Sequence, residues 1–154
     1  MNNKRDFKHL TVFDVPEQSP GFLLWQVSTS WRTAIEAVLK PLSLTQPQFV
    51  VLTTLWWLTK DGERVTQALI GKLAGLDPNT ISQILRGLEV KKLIKRVRSV
   101  DVRAKNPLLT AQGSEILALA LPAVEAADAQ FFKSLTVQEA KDMLNIFQKL
   151  TIRS

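Results

Sequence analysis

LAGLDPNTISQILRGLEVKKLIKR, residues 73–96, decides the fold. Gly75-Leu76 is a short turn, and Asp77-Pro78-Asn79-Thr80 opens a helix with two strong local signals. The aspartate can accept from the unpaired amides of the first turn, and proline suits the first helical position, where its missing N–H is no loss. Ile81, Ile84, Leu85 and Leu88 then repeat on one face. Upstream, Thr66 is an N-cap for TQALIGKLAG, residues 66–75, a helix of about two turns closed by Gly75. Two helices joined by so short a turn are a helix-turn-helix candidate. After Leu93 the helical period gives way to alternation, with Ile94, Arg96 and Arg98 on one face and Lys95, Val97 and Ser99 on the other. Beyond the polar turn SVDVRAK, Pro107-Leu108-Leu109 can pair back, and a hairpin directly behind a helix-turn-helix is a wing.

Charge points the same way. Residues 91–105, KKLIKRVRSVDVRAK, hold seven basic side chains (Lys91, Lys92, Lys95, Arg96, Arg98, Arg103, Lys105) and one acid, Asp101, a surplus equal to the whole formal charge of +6. A charge confined to one segment makes a local positive field, whose commonest partner is a polyanion. In the helix before it, Asn79, Ser82, Gln83 and Arg86 lie at i, i+3, i+4 and i+7 and form one polar face. Short hydroxyls, amides and one arginine suit a helix that meets base edges and phosphates in a major groove. An ordinary solvated face has the same composition; the position immediately before a basic hairpin favours the DNA reading. The residues assigned to DNA contact are Thr66, Gln67, Asn79, Thr80, Ser82, Gln83, Arg86, Arg98, Arg103 and Lys105. Asp101 is assigned to shaping the wing, by accepting from turn amides and pairing with Arg103.

The flanks are helical. After Ser19-Pro20-Gly21, Leu24, Val27, Trp31, Ile35 and Val38 mark an amphipathic helix running to Pro41. Thr45-Gln46-Pro47-Gln48 is a capping box for a helix over about 48–59, apolar almost all round and expected at the centre of the core. Thr110 caps a long helix with an expected kink near Pro122. Thr136 and Glu139 cap the last one, with Ala140, Met143, Leu144, Phe147 and Leu150 along a stripe.

LAGLDPNTISQILRGLEVKKLIKR together with DVRAKNPLLTAQG, residues 101–113, resembles the MarR family of winged-helix transcription regulators, with Asp101, Arg103, Leu109, Thr110 and Gly113 matching the wing and the helix after it. With the order of helices, the resemblance covers about residues 20–150. It implies a mainly α fold with a small β-hairpin wing (α+β), and a homodimer interlocked through its N- and C-terminal helices that reads a pseudo-palindromic site on double-stranded DNA. Many relatives repress transcription and let go of DNA when a small aromatic or phenolic effector binds. The single domain, 1–154, then divides into a polar tail (1–19), dimerisation helices (20–40 and 110–154) and a winged-helix lobe (45–109). One departure is Lys92, which stands where many members have glycine; a side chain there predicts a different helix end and a different path into the wing.

For an effector, Trp25 and Arg32 are pocket candidates, seven residues apart on one side of the first helix. Trp31, Trp56 and Trp57 are expected as core or dimer contacts. The chain has no cysteine, so thiol sensing is excluded and zinc–thiolate sites with it. His9 is the single histidine, no phosphate-cradling glycine pattern exists, and neither a catalytic site, a metal nor a cofactor is expected. The polar N-terminus has no signal-peptide run and FVVLTTLWWL is too short to span a bilayer, so a cytoplasmic protein with no membrane contact is expected. Two other readings stay open: a winged-helix protein-interaction module docking an acidic partner, and a nucleoid-type DNA binder without effector control.

Overall fold

A computed structural model describes residues 10–98 and 105–151, with Arg98 and Lys105 described by backbone alone. Six α-helices and one hairpin follow in the order α1 (Pro20–Leu39), α2 (Gln46–Thr59), α3 (Gln67–Ala74), α4 (Pro78–Val90), β1 (Ile94–Arg98), β2 (Lys105–Leu109), α5 (Ala111–Phe131) and α6 (Val137–Thr151). The fold is mainly helical with a two-stranded wing, of the expected α+β class.

Local chemistry sets the helix starts. Ser19 accepts from the Phe22 amide, Thr66 from Leu69 and Thr110 from Gly113. Thr45 and Gln48 close a reciprocal capping box, each backbone N–H bonded to the other's side chain at 3.3 Å, and Thr136 and Glu139 repeat it at α6. Each cap satisfies amides that a helix leaves without partners at its N-terminus. α2 therefore starts two residues earlier than the apolar pattern suggests. Pro122 sits inside α5 without ending it.

α2 occupies the centre, touching α1, α3, α4, α5 and β2. Val51, Leu52 and Leu55 are fully buried there, and Ile35 and Leu39 of α1, Ile70 of α3, Ile81, Leu85 and Leu88 of α4, and Leu117 and Ala120 of α5 close around them. Trp57 is the exception on this helix, 56% exposed with the Lys60 ammonium 3.8 Å over its ring. Trp31 is half-buried and links the two long helices, its indole N–H donating to Asp128 of α5 at 2.7 Å. The hairpin is antiparallel, pairing Ile94 with Leu109 and Arg98 with Lys105. Ile94 and Leu93 root it in the core.

α1 and α6 are incompletely covered. Only Ile35 and Leu39 of α1 are buried, while Leu24, Trp25 and Val27 are exposed; no residue of α6 is buried. Among the described residues no helix is long and apolar enough to cross a membrane, and no cluster of side chains could hold a metal ion.

Candidate nucleic-acid interface

α3 and α4 are held at a fixed angle by a tight turn. Gly75 takes φ +67°, a left-handed conformation that glycine adopts without a Cβ clash, and the Leu76 amide returns to the Gly71 carbonyl at 2.9 Å. Gly71 lets the chain close up, since a Cβ there would lie 3.1 Å from the Leu76 oxygen and 3.4 Å from Ile81. Asp77 then caps α4, accepting from the Asn79 and Thr80 amides at 2.9 and 3.0 Å and from the Thr80 hydroxyl. The Thr80 hydroxyl, followed by the Thr80 and Asn79 amides, holds the Asp77 carboxyl below its ordinary value.

With Ile81, Leu85 and Leu88 turned into the core, α4 leaves Asn79, Gln83 and Arg86 exposed and Ser82 half-buried. Thr80 is half-buried and donates its hydroxyl proton to Asp77, which leaves it able only to accept from a partner. Thr66 is exposed at the start of α3, its oxygen already accepting from Leu69, and Gln67 beside it is half-buried. The first amides of α3 stand next to them, and such amides bind phosphate oxygens readily.

In the wing, Asp101 and Arg103 lie outside the described residues. Arg98 and Lys105 pair across the last described rung of the ladder, where the turn begins. Of the four cations in the basic segment whose side chains are described, two make contacts within the chain. Arg96 Nε lies 3.3 Å from a Glu89 carboxylate oxygen; Nε and Nη2 are buried without a hydrogen bond, so charge rather than aligned bonding holds the pair. Lys91 donates to the Ser43 carbonyl and to the Gln48 side chain. Lys92 and Lys95 stay exposed. Arg64, absent from the sequence-based set, is exposed and borders a recess of about 40 Å³ at the wing base with Val97, Asn106 and Leu108. No periodic signal marks it, because it sits in the loop before α3.

The path into the wing is the one a glycine would take. Lys92 adopts φ +60°, the Lys92 amide bonds Glu89 O at 2.9 Å and the Leu93 amide bonds Leu88 O at 2.9 Å. These paired bonds form a Schellman end, with Leu88 and Leu93 both in the core cluster. The different helix end predicted from the missing glycine does not occur; lysine is held in the left-handed region by bonds on both sides. One of these is from Thr110, whose hydroxyl donates to the Lys92 carbonyl at 2.7 Å.

Trp25 and Arg32 border separate hollows. Trp25 faces an open groove of about 470 Å³ with Gln26, Ser30 and Phe131. Arg32 borders a cleft of about 340 Å³ with Trp31 and Glu36 of α1, Gln46 and Val50 of α2, and Leu76 of the α3–α4 turn. Seven residues along a helix keep a direction but move about 10 Å along the axis, enough to change hollows.

A short turn between two helices, a polar face on the second and a hairpin after it define a winged helix-turn-helix. A family described as "Transcriptional regulator SarA/Rot" matches residues 33–103. The chain is 37% identical over 128 residues to the uncharacterized HTH-type transcriptional regulator YdcH of Bacillus subtilis (strain 168), covering 82% of this chain and 87% of that protein. It is 31% identical over 131 residues to the HTH-type transcriptional repressor Rv2887 of Mycobacterium tuberculosis, covering 84% and 91%. The structure of that MarR family protein in complex with p-aminosalicylic acid superposes with a TM-score of 0.63 at 30% identity, over 86% of this chain and 98% of the other. The Staphylococcus aureus MepR–DNA complex gives a TM-score of 0.77 at 25% identity, over 90% and 99%. The chain belongs to the MarR family of DNA-binding transcriptional regulators, and it is not an enzyme.

Proposed function

We propose that the protein is a homodimeric repressor that reads a pseudo-palindromic DNA site and releases it when a small aromatic acid binds. The observation that carries the DNA half is the exposed Asn79, Gln83 and Arg86 of α4, presented beside the basic wing. α4 enters the major groove and chooses sequence, the α3 N-terminus meets phosphate, and the cations of the wing, Arg98, Arg103 and Lys105, supply affinity, with Asp101 shaping its turn. MepR, similar over nearly the whole chain, was solved on DNA, which supports this arrangement. The apolar, uncovered faces of α1 and α6 supply the dimer.

The effector half rests on the cleft bordered by Arg32 and Trp31. It touches α1, α2 and the α3–α4 turn, so an occupant bears on the angle between the long helices and the reading helix. Arg32 is suited to a carboxylate and Trp31 to an aromatic ring, and the similar Rv2887 was solved with p-aminosalicylic acid. Trp25 borders the groove nearer the exposed apolar half of α1, where it serves the dimer.

Selection of bound sequences from a random duplex pool tests the DNA half: one enriched palindrome is expected. Arg86→Ala then weakens the selected site by about 1–3 kcal/mol relative to random duplex, whereas Arg103→Ala weakens both equally. No enrichment together with an acidic protein partner would turn the reading to an interaction module. Loss of ligand-induced release in Arg32→Met, with DNA affinity kept, tests the effector half.

A further inference from the structure

The segment that carries the net charge contains one lysine committed to the opposite side of its helix end. Lys91 is the residue after α4, and its Nζ lies 2.6 Å from the Ser43 carbonyl oxygen and 2.7 Å from Gln48 Oε1. Both acceptors belong to the junction between α1 and α2. Ser43 ends the turn after α1 with φ +54°, and Gln48 is the residue whose side chain closes the capping box of α2. Gly87, one turn back along α4, approaches the same amide: a Cβ there would meet Gln48 Nε2 at 3.2 Å. Residue 92, next to the lysine, is the other left-handed non-glycine residue among those described. The end of the reading helix is thus fastened to the α1–α2 junction where both segments turn sharply.

Two of the three ammonium donors are used within the chain, at distances typical of charge-assisted bonds. A phosphate could take only the third without displacing them. α1 leads from the same junction to the exposed apolar half assigned to the dimer. Whatever fixes α4 against this junction fixes each reading helix against the dimer, and hence against its twin.

We propose that Lys91 is a positioning residue for DNA recognition rather than a phosphate contact: by tying the end of α4 to Ser43 and Gln48 it sets the separation and tilt of the paired reading helices. The proposal rests on α4 being the DNA reader. Its consequence is specific to spacing. Inserting one base pair between half-sites rotates one against the other by about 35°, a misfit that a rigid frame rejects and a loosened one tolerates.

The test uses the full chain with Lys91→Met, Gln48→Met and the double substitution, each checked for an unchanged circular-dichroism spectrum. In the free protein, exchange of the Lys92 and Leu93 amides is expected to speed several-fold in either single variant and little further in the double one. On DNA, Lys91→Met is expected to lose roughly tenfold on the selected site, to discriminate less against spacers changed by one base pair, and to keep the wild-type salt slope. A phosphate contact would instead make the slope shallower by about 2 per dimer and leave spacing preference and exchange untouched; that result overturns the proposal. Unchanged exchange overturns the clamp by itself. Absence of any preferred duplex for the wild type overturns the DNA reading and the spacing role with it, while exchange still reports whether Lys91 fastens the helix.

Discussion

Gly113 leaves no space for a methyl group, since a Cβ there would stand 2.0 Å from the Leu93 carbonyl oxygen. The first turn of α5 is pressed against the turn that leads from α4 into the wing. Thr110 makes the join, donating its hydroxyl to Lys92 O and its amide to Leu93 O while accepting from the Gly113 amide. Backbone forms both sides of this contact and cannot swing aside as a side chain could. Gly113→Ala is expected to destabilise the protein by about 1–3 kcal/mol, read as a lower urea midpoint at unchanged slope, because relieving the clash displaces packed backbone. A wild-type midpoint would mean that the turn and helix are less closely apposed than described. Lys92 gives the converse case. Its left-handed conformation is one that glycine takes freely, so Lys92→Gly is expected to add about 1 kcal/mol of stability. Equal midpoints for Lys92→Gly and wild type would show that the surrounding hydrogen bonds, rather than the residue type, set the energy of the turn.

Helix starts are where charge and backbone meet, and they set the acid response. Asp77 at α4 is held below the ordinary carboxyl value chiefly by the Thr80 hydroxyl, and Glu139 at α6 by the Thr136 amide first and its hydroxyl second. A carboxyl whose native value is depressed stabilises the fold fully above its unfolded value and loses that contribution as the pH falls through the native one. Asp77→Asn can keep the oxygen that accepts from the Asn79 and Thr80 amides, but it removes the ionisation and replaces the second oxygen, which accepts from the Thr80 hydroxyl, with an amino group. The variant is therefore expected to have a lower urea midpoint than wild type at neutral pH and a shallower loss across the acid range, the two curves converging as Asp77 takes up its proton. Parallel curves would remove Asp77 from the acid response. These starts were legible in the sequence because cap and amide lie two or three residues apart: Thr45, Thr66, Asp77, Thr110 and Thr136 all cap where their spacing places them. The polar face of α4 was legible for the same reason, since core and solvent alternate around the helix at helical period. The bond from Lys91 to Ser43 spans 48 residues and has no local signature. Nor could an evenly apolar α2 announce that Trp57 would be the side left exposed. The end of α4 misled in another way, because left-handed geometry was tied to glycine although Lys92 adopts it when Leu88, Glu89 and Thr110 supply partners.

At the scale of the molecule, the uncovered apolar surface and the basic wing make demands that one proposed assembly answers. Leu144, Phe147 and Leu150 of α6 are each more than 40% exposed, as are Leu24 and Trp25 of α1. Burying a fully exposed large apolar side chain is worth about 1.5–3 kcal/mol, so completing the cover of these part-exposed ones gives a share of that, and a two-fold axis gives it once in each subunit. Phe147→Glu places a charge in that surface and is expected to convert dimer to monomer in sedimentation, with the α6 part of the helical signal weakened because α6 buries nothing in its own chain. DNA binding should change in a defined way. If the dimer neutralises on the order of 8 phosphates, log affinity falls with log salt at a slope of about −7, and a monomer holding one half-site should show about −3.5 with the preference for the full palindrome lost. A Phe147→Glu protein that remains dimeric would exclude α6 as the interface. Monomers with an undiminished slope would mean that a single wing already makes all the phosphate contacts, so that the second subunit contributes spacing alone, the property in which Lys91 is proposed to act.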